Sequence, residues 1–108
     1  MSTTEVTAMK VYLDDARDAP EGWVRTYSVA ETIELLQTGQ VTVLSLDHDL
    51  GIESEVGSGY DVLDWIERQV VANGFQPPKM VVHSANPPAR QRMEQAIRAI
   101  ERVASGGR

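Results

Sequence analysis

Short apolar runs alternate along this chain with segments of helical period, and that interleaving restricts the fold more than any other feature. The runs occupy residues 10–13, 41–46 and 80–82, with a weaker aromatic and β-branched run at 23–27 that suits an edge strand. Residues 41–46 have the β-branched content of a buried sheet centre. Ser28-Val29-Ala30-Glu31 has the form of a capping box, and Val29, Ile33 and Leu36 follow at helical spacing to a stop at Gly39. Val62, Leu63, Ile66 and Val70 mark a second helix, with Ser58 and Asp61 as a further capping pair and Asn73-Gly74 as its stop. Pro77-Pro78 fixes the entry to the run at 80–82. Asn86-Pro87 opens a third helix, with Asn as N-cap and Pro at the first helical position, and its stripe is Met93, Ala96 or Ile97, Ile100 and Val103 or Ala104.

The inferred order is β-β-α-β-α-β-α. Strands joined through helices form right-handed crossovers and a parallel sheet. The expected fold is therefore α/β, a three-layer sandwich around a parallel sheet of about four strands. The alternative is an α+β fold in which the first two strands pair antiparallel. A chain of 108 residues suffices for a single core, so one domain is expected, with its core at about 9–104 and flexible ends at 1–8 and 105–108.

Composition narrows the function classes. A net charge of −6 argues against an extended nucleic-acid surface, because non-specific affinity comes from neutralising many phosphates. The aromatic residues are not interleaved with a basic patch, which speaks against a single-strand stacking platform. A small phosphorylated ligand or an RNA end remains compatible as a partner. No apolar run is long enough to span a membrane, and residues 1–8 lack the basic and apolar regions of a secretory signal. The absence of cysteine excludes disulfides and thiolate metal sites. A cytoplasmic protein is the expectation; the oligomeric state is not encoded in any visible pattern. There is no GxGxxG, P-loop, GxSxG or HExxH motif.

In open parallel sheets the ligand crevice lies at the carboxyl ends of the strands. Three runs deliver chemistry there. Residues 10–13 end in Asp14-Asp15, residues 41–46 run into Asp47-His48-Asp49, and residues 80–82 run into His83-Ser84 before Asn86-Pro87. His48 and His83 are the only histidines. Paired carboxylates at a strand end suit a hard cation such as Mg²⁺, although Asp14 and Asp15 serve equally as caps of a turn or helix. Alternation turns at most one of them straight into the crevice. Asp47, His48 and Asp49 crowd three ionisable groups together, which a metal ion or shared proton chemistry would explain. The plainer reading is an Asx-turn before Gly51, with His48 on a backbone carbonyl and turned away from the two carboxylates.

His83 is a candidate acid, base or ligand, and the helix start at Asn86 exposes N–H groups that favour an anion. Against this, His83 can be a core residue and Asn86 merely a cap. Arg17, Arg90 and Arg92 are candidate anion clamps. Arg90 lies in a first helical turn, where a cation opposes the dipole, so an anion or an acidic neighbour is expected beside it. Residues 51–59 carry three glycines and read as a mobile loop near the site.

These residues carry a resemblance. Asp14-Asp15, Asp47 and Ser84 are similar to the acidic pair, phospho-acceptor and hydroxyl positions of response-regulator receiver domains. The wider pattern resembles the cyclic-phosphate processing receiver-like family: Leu13-Asp14-Asp15-Ala16-Arg17 with Pro20 and Gly22-Trp23, Ser45-Leu46-Asp47-His48-Asp49-Leu50-Gly51, Gly59-Tyr60-Asp61-Val62, and His83-Ser84-Ala85-Asn86-Pro87. The match spans residues 9–100. It implies a receiver-like (flavodoxin-like) sheet, shortened relative to a receiver of five units, and an enzymatic offshoot of that fold acting on cyclic phosphates in RNA repair or nucleotide processing. No strand-end lysine follows the segment after His83, and receivers do not need the two histidines; both differences disfavour phosphorelay signalling.

The expected activity is a metal-assisted phosphoesterase, a hydrolase of cyclic or terminal phosphates. Asp14, Asp15, Asp47 and Asp49 would hold Mg²⁺ or Mn²⁺. His83, His48 and Asp47 would carry the proton chemistry, and Arg17, Ser84, Asn86 and Arg90 would bind phosphate oxygens. The competing readings are a phospho-acceptor receiver and a non-catalytic binding module.

Overall fold

A computed structural model describes residues 8–14, 17–47, 59–83 and 87–106. The elements are β1 (Met9–Leu13), β2 (Trp23–Thr26), α1 (Val29–Leu36), β3 (Val41–Leu46), α2 (Gly59–Asn73), β4 (Lys79–Val82) and α3 (Pro87–Ala104). The sheet has the order β2-β1-β3-β4. Every pairing in it is parallel, including the first two strands, with Lys10 opposite Trp23 and Leu13 opposite Thr26. The antiparallel alternative therefore falls.

The layers follow from the order of the strands. Both β2→α1→β3 and β3→α2→β4 step across the sheet in the same direction, so right-handed crossovers place both helices on one face. The core confirms it. Val11, Leu13, Leu44, Leu46 and Met80 from the strands join Leu36 of α1, Val62, Leu63, Ile66 and Val70 of α2, and Met93, Ile97 and Ile100 of α3 in one cluster. Fully burying one such aliphatic side chain contributes about 1.5–3 kcal/mol.

The step from β1 to β2 runs the opposite way, and a helix there would cover the other face. Its described residues form a turn instead, with Pro20 accepting from the Trp23 N–H and Gly22 at φ 88°. The parallel four-stranded α/β sheet is as expected, but the expected third layer contains no helix among the described residues. The strand side chains that alternate away from the core are Lys10, Tyr12, Trp23, Arg25, Val43, Ser45, Lys79 and Val81.

Local signals act largely as read. The Ser28 Oγ accepts from the Glu31 N–H at 3.2 Å, while the Glu31 carboxylate reaches the Tyr27 N–H at 2.6 Å, one residue ahead of the cap. Buried Thr32 donates to the Ser28 carbonyl and meets the Thr26 hydroxyl at 2.7 Å, which ties α1 to the end of β2. Gly39 and Gly74 follow their helices at φ 75° and 66°, a conformation open to glycine without a Cβ penalty. α3 begins at Pro87, the expected first helical position. Among the described residues no helix is long and apolar enough to cross a membrane.

Candidate functional site

The register of the three inner strands builds the site. Leu13 lies opposite Leu46, and Leu46 opposite Val82. The ladder continues one residue beyond each strand: the N–H groups of Asp14, Asp47 and His83 donate to Thr26, Leu13 and Leu46 carbonyls at 3.1, 3.1 and 3.0 Å. The three residues thus form the next row across the sheet. Alternation turns all three away from the helix-covered core. Their candidate ligand atoms lie within 4.8 Å of one another.

His83 is held by both ring nitrogens. Nε2 is 3.0 Å from Asp14 Oδ2 and Nδ1 is 2.7 Å from Ser45 Oγ. The ring stacks on Tyr12 with centroids 4.1 Å apart and planes 5° from parallel. The imidazole therefore leans from β4 across β3 to β1, which requires a small side chain beneath it on β3. Ser45, opposite Tyr12 and only 4% exposed, is that side chain.

With Asp14 ionised, Nε2 carries the proton of neutral His83 and Nδ1 accepts from the serine. A hydroxyl can also accept, so Ser45 serves the ring with Nδ1 protonated as well. The order Ser45, His83, Asp14 has the connectivity of a serine hydrolase relay. Ser45 lies buried beneath the ring, however, and acts as an anchor rather than a nucleophile.

Asp14 is 1% exposed, and it is held from several sides. Oδ1 accepts from the Arg17 N–H at 2.8 Å, and the Arg17 guanidinium stands 3.7 Å from Oδ2 while donating to the His83 carbonyl at 3.4 Å. The Arg25 Nε donates to the Asp14 carbonyl at 3.0 Å, and its guanidinium pairs with Asp18. The Arg17 side chain is 54% exposed, which leaves donors available at the lip of the row.

Burial pushes the His83 pKa below 6.5; the Asp14 hydrogen bond and the charges of Asp47 and Asp14 oppose that shift, and Arg17 adds to it. The folded chain therefore binds this proton less readily than the unfolded chain. Stability from His83 is complete above pH 6.5 and is lost as pH falls from 6.5 toward the lowered folded value. Urea unfolding at pH 7.5, 6.5 and 5.5 is expected to show wild type losing more stability over this range than His83→Gln.

Gly59 fixes the far side of the row. A Cβ at this position would collide with the Asp47 carbonyl oxygen and would lie 2.8 Å from the Met93 Cε. The first residue of α2 thus presses directly on the backbone of Asp47.

Of the residues singled out in the sequence, the structure brings Asp14, Asp47 and His83 together, with Arg17 beside them. Arg90, on α3, lines the groove along β4 together with Val81 and Val82, and it pairs with Glu94 at 3.6 Å, the acidic neighbour its position called for. Arg92 is exposed on the same helix. Asp15, His48, Asp49, Ser84 and Asn86, the Ser58 cap and the loop before Gly59 lie outside the described residues. Sequence reasoning missed Tyr12, Ser45, Arg25 and the role of Gly59. Tyr12 and Ser45 stand two residues before Asp14 and Asp47, so period-two alternation places them on the same face and carried the signal.

The family model for the cyclic-phosphate processing receiver domain matches residues 9–99. The chain belongs to that family. No curated protein and no solved structure matches it significantly. In this receiver domain the matched segment includes the whole Asp14–Asp47–His83 row and every strand that builds it. The donor set also fits a divalent cation: two carboxylates suit Mg²⁺ or Mn²⁺, an imidazole is a better ligand for Mn²⁺, and the spread of the ligand atoms suits one small ion.

Proposed function

We propose that the row is a phosphate-ester site that hydrolyses cyclic or terminal phosphates of RNA or nucleotides. One observation carries this reading: an imidazole aimed by Asp14 and Ser45 stands beside two carboxylates at the ligand-binding rim of a cyclic-phosphate processing receiver domain. Asp14 and Asp47 would hold the cation, which when bound polarises the phosphoryl group and lowers the pKa of water. Water adds to phosphorus and one ring P–O bond breaks. With Asp14 drawn to the cation the ring would hold its own proton at Nδ1, leaving Nε2 to take the water proton and return it to the leaving oxygen, so the net change is addition of one water. Ser45 accepts from Nδ1–H while Nε2 is in use. Arg17 neutralises phosphoryl oxygens from the lip of the row. The roles expected for Asp15, His48, Asp49, Ser84 and Asn86 rest on the sequence alone.

The test is turnover of 2′,3′-cyclic nucleotides in Mg²⁺ or Mn²⁺. Asp47→Asn is expected to lower kcat/KM by about 10²-fold, because one charged cation ligand is lost. Equal rates in both proteins would contradict the assignment of Asp47. The position of Asp47 at the end of β3 also supports a second reading, in which it accepts a phosphoryl group. A labile acyl phosphate on Asp47 after incubation with a small phosphodonor would favour that reading over hydrolysis.

A further inference from the structure

The face of the sheet opposite the helices carries a pattern that extends beyond the Asp14–Asp47–His83 row. Lys10, Val43 and Lys79 form one row across β1, β3 and β4, with Trp23 beside Lys10 on β2. The next row toward the site is Arg25, Tyr12, Ser45 and Val81. Lys10 and Lys79 are the chain's only lysines. In a chain of net charge −6, the strand side chains in these two rows include three cations and no carboxylate.

The aromatic rings form a track toward the site. The Lys10 ammonium lies 5.3 Å from the Trp23 ring centre, and Trp23 meets Tyr12 edge-on at 6.0 Å. Tyr12 in turn stacks on His83. Beside the track the Arg25 guanidinium lies over Tyr27, which is 51% exposed. Aromatic rings flanked by cations are what sequence-tolerant single-strand sites use: bases stack on the rings and lysines meet the backbone. The sequence hid this arrangement because the residues alternate in space across four strands rather than along the chain.

We propose that this face binds single-stranded RNA leading into the row, with a base on Trp23 and backbone phosphates at Lys10 and Lys79. The inference rests on the reading of Asp14, Asp47 and His83 as the phosphate site; a 2′,3′-cyclic phosphate needs a ribose, which selects RNA over DNA. Trp23 stands four residues along the sheet from the His83 row, about 13 Å. Its contacts therefore fall on nucleotides preceding the one that is processed. A second copy of the chain suits the face less well, because a twofold contact would set lysines against lysines.

The test uses a fluorescein-labelled hexauridylate ending in a 3′-hydroxyl, which offers no cyclic or terminal 3′-phosphate to turn over. In a Trp65→Phe background, where Trp23 is the remaining tryptophan, the probe is expected to quench Trp23 fluorescence. Trp23→Ala is expected to weaken binding about tenfold. Lys10→Met with Lys79→Met is expected to flatten the slope of log K against log salt by about 1.4, about 0.7 per phosphate. Lys79 is exposed, so its substitution leaves the fold intact and keeps the test decisive.

Unquenched fluorescence, or affinity and salt slope unchanged in these variants, would overturn the proposal. So would a protein that sediments as a dimer and fails to bind the probe. Failure here is separable from failure of the hydrolytic reading: turnover of cyclic mononucleotides without probe binding sinks only the platform, and probe binding without turnover sinks only the reaction.

Discussion

His83→Ala is expected to lower kcat for cyclic-phosphate hydrolysis by about 10²–10⁴-fold, equivalent to about 3–5 kcal/mol of barrier. Water has to lose a proton and the leaving oxygen has to gain one, and the imidazole is the group placed to carry it. Its placement is over-determined, by the Asp14 carboxylate, the Ser45 hydroxyl and the Tyr12 ring. Removal of the ring also leaves Asp14 buried with one partner fewer, so steady-state rates should be read beside a thermal melt. A folded His83→Ala protein with wild-type kcat would show that the ring is structural.

Gly59→Ala is the second large effect, and it acts through the backbone. The added methyl would overlap the Asp47 carbonyl oxygen. The Met93 methyl on its other side ends a flexible chain and can swing away, but the carbonyl cannot. Asp47 is tied by its own N–H to Leu13 in the neighbouring strand. Either α2 retreats from the core or the end of β3 moves. Overpacking of this kind costs about 1–3 kcal/mol, and at this chain length each kcal/mol shifts Tm by about 4–8 °C. Activity should fall together with Tm, because the displaced backbone carries Asp47. A Gly59→Ala protein with unchanged Tm and kcat would contradict the contact.

Much of this was legible in the residues. The capping box at Ser28, the prolines at 77, 78 and 87 and the four apolar runs marked the elements, because each acts over a few residues. The three strand ends carrying Asp14, Asp47 and His83 were legible too, since a parallel sheet brings strand ends to one rim. What the residues did not disclose is what depends on register between strands. Ser45 reads as a polar interruption of an apolar strand until β4 lies beside it and His83 leans across. Trp23 and Lys10 are thirteen positions apart in the sequence and opposite each other in the sheet. The order of the strands was hidden as well: β2 lies outside β1 and is reached, among the described residues, through a turn rather than a helix, and local propensity cannot reveal that order.

The central claim is that Asp14, Asp47 and His83 form one phosphate-processing site. Phosphorus NMR of the wild-type protein mixed with a 2′,3′-cyclic nucleotide and Mg²⁺ or Mn²⁺ tests it most directly. The expected result is steady conversion of the cyclic resonance to that of a ring-opened monophosphate, lost in His83→Ala. A cyclic resonance that persists unchanged with wild-type protein would contradict the claim.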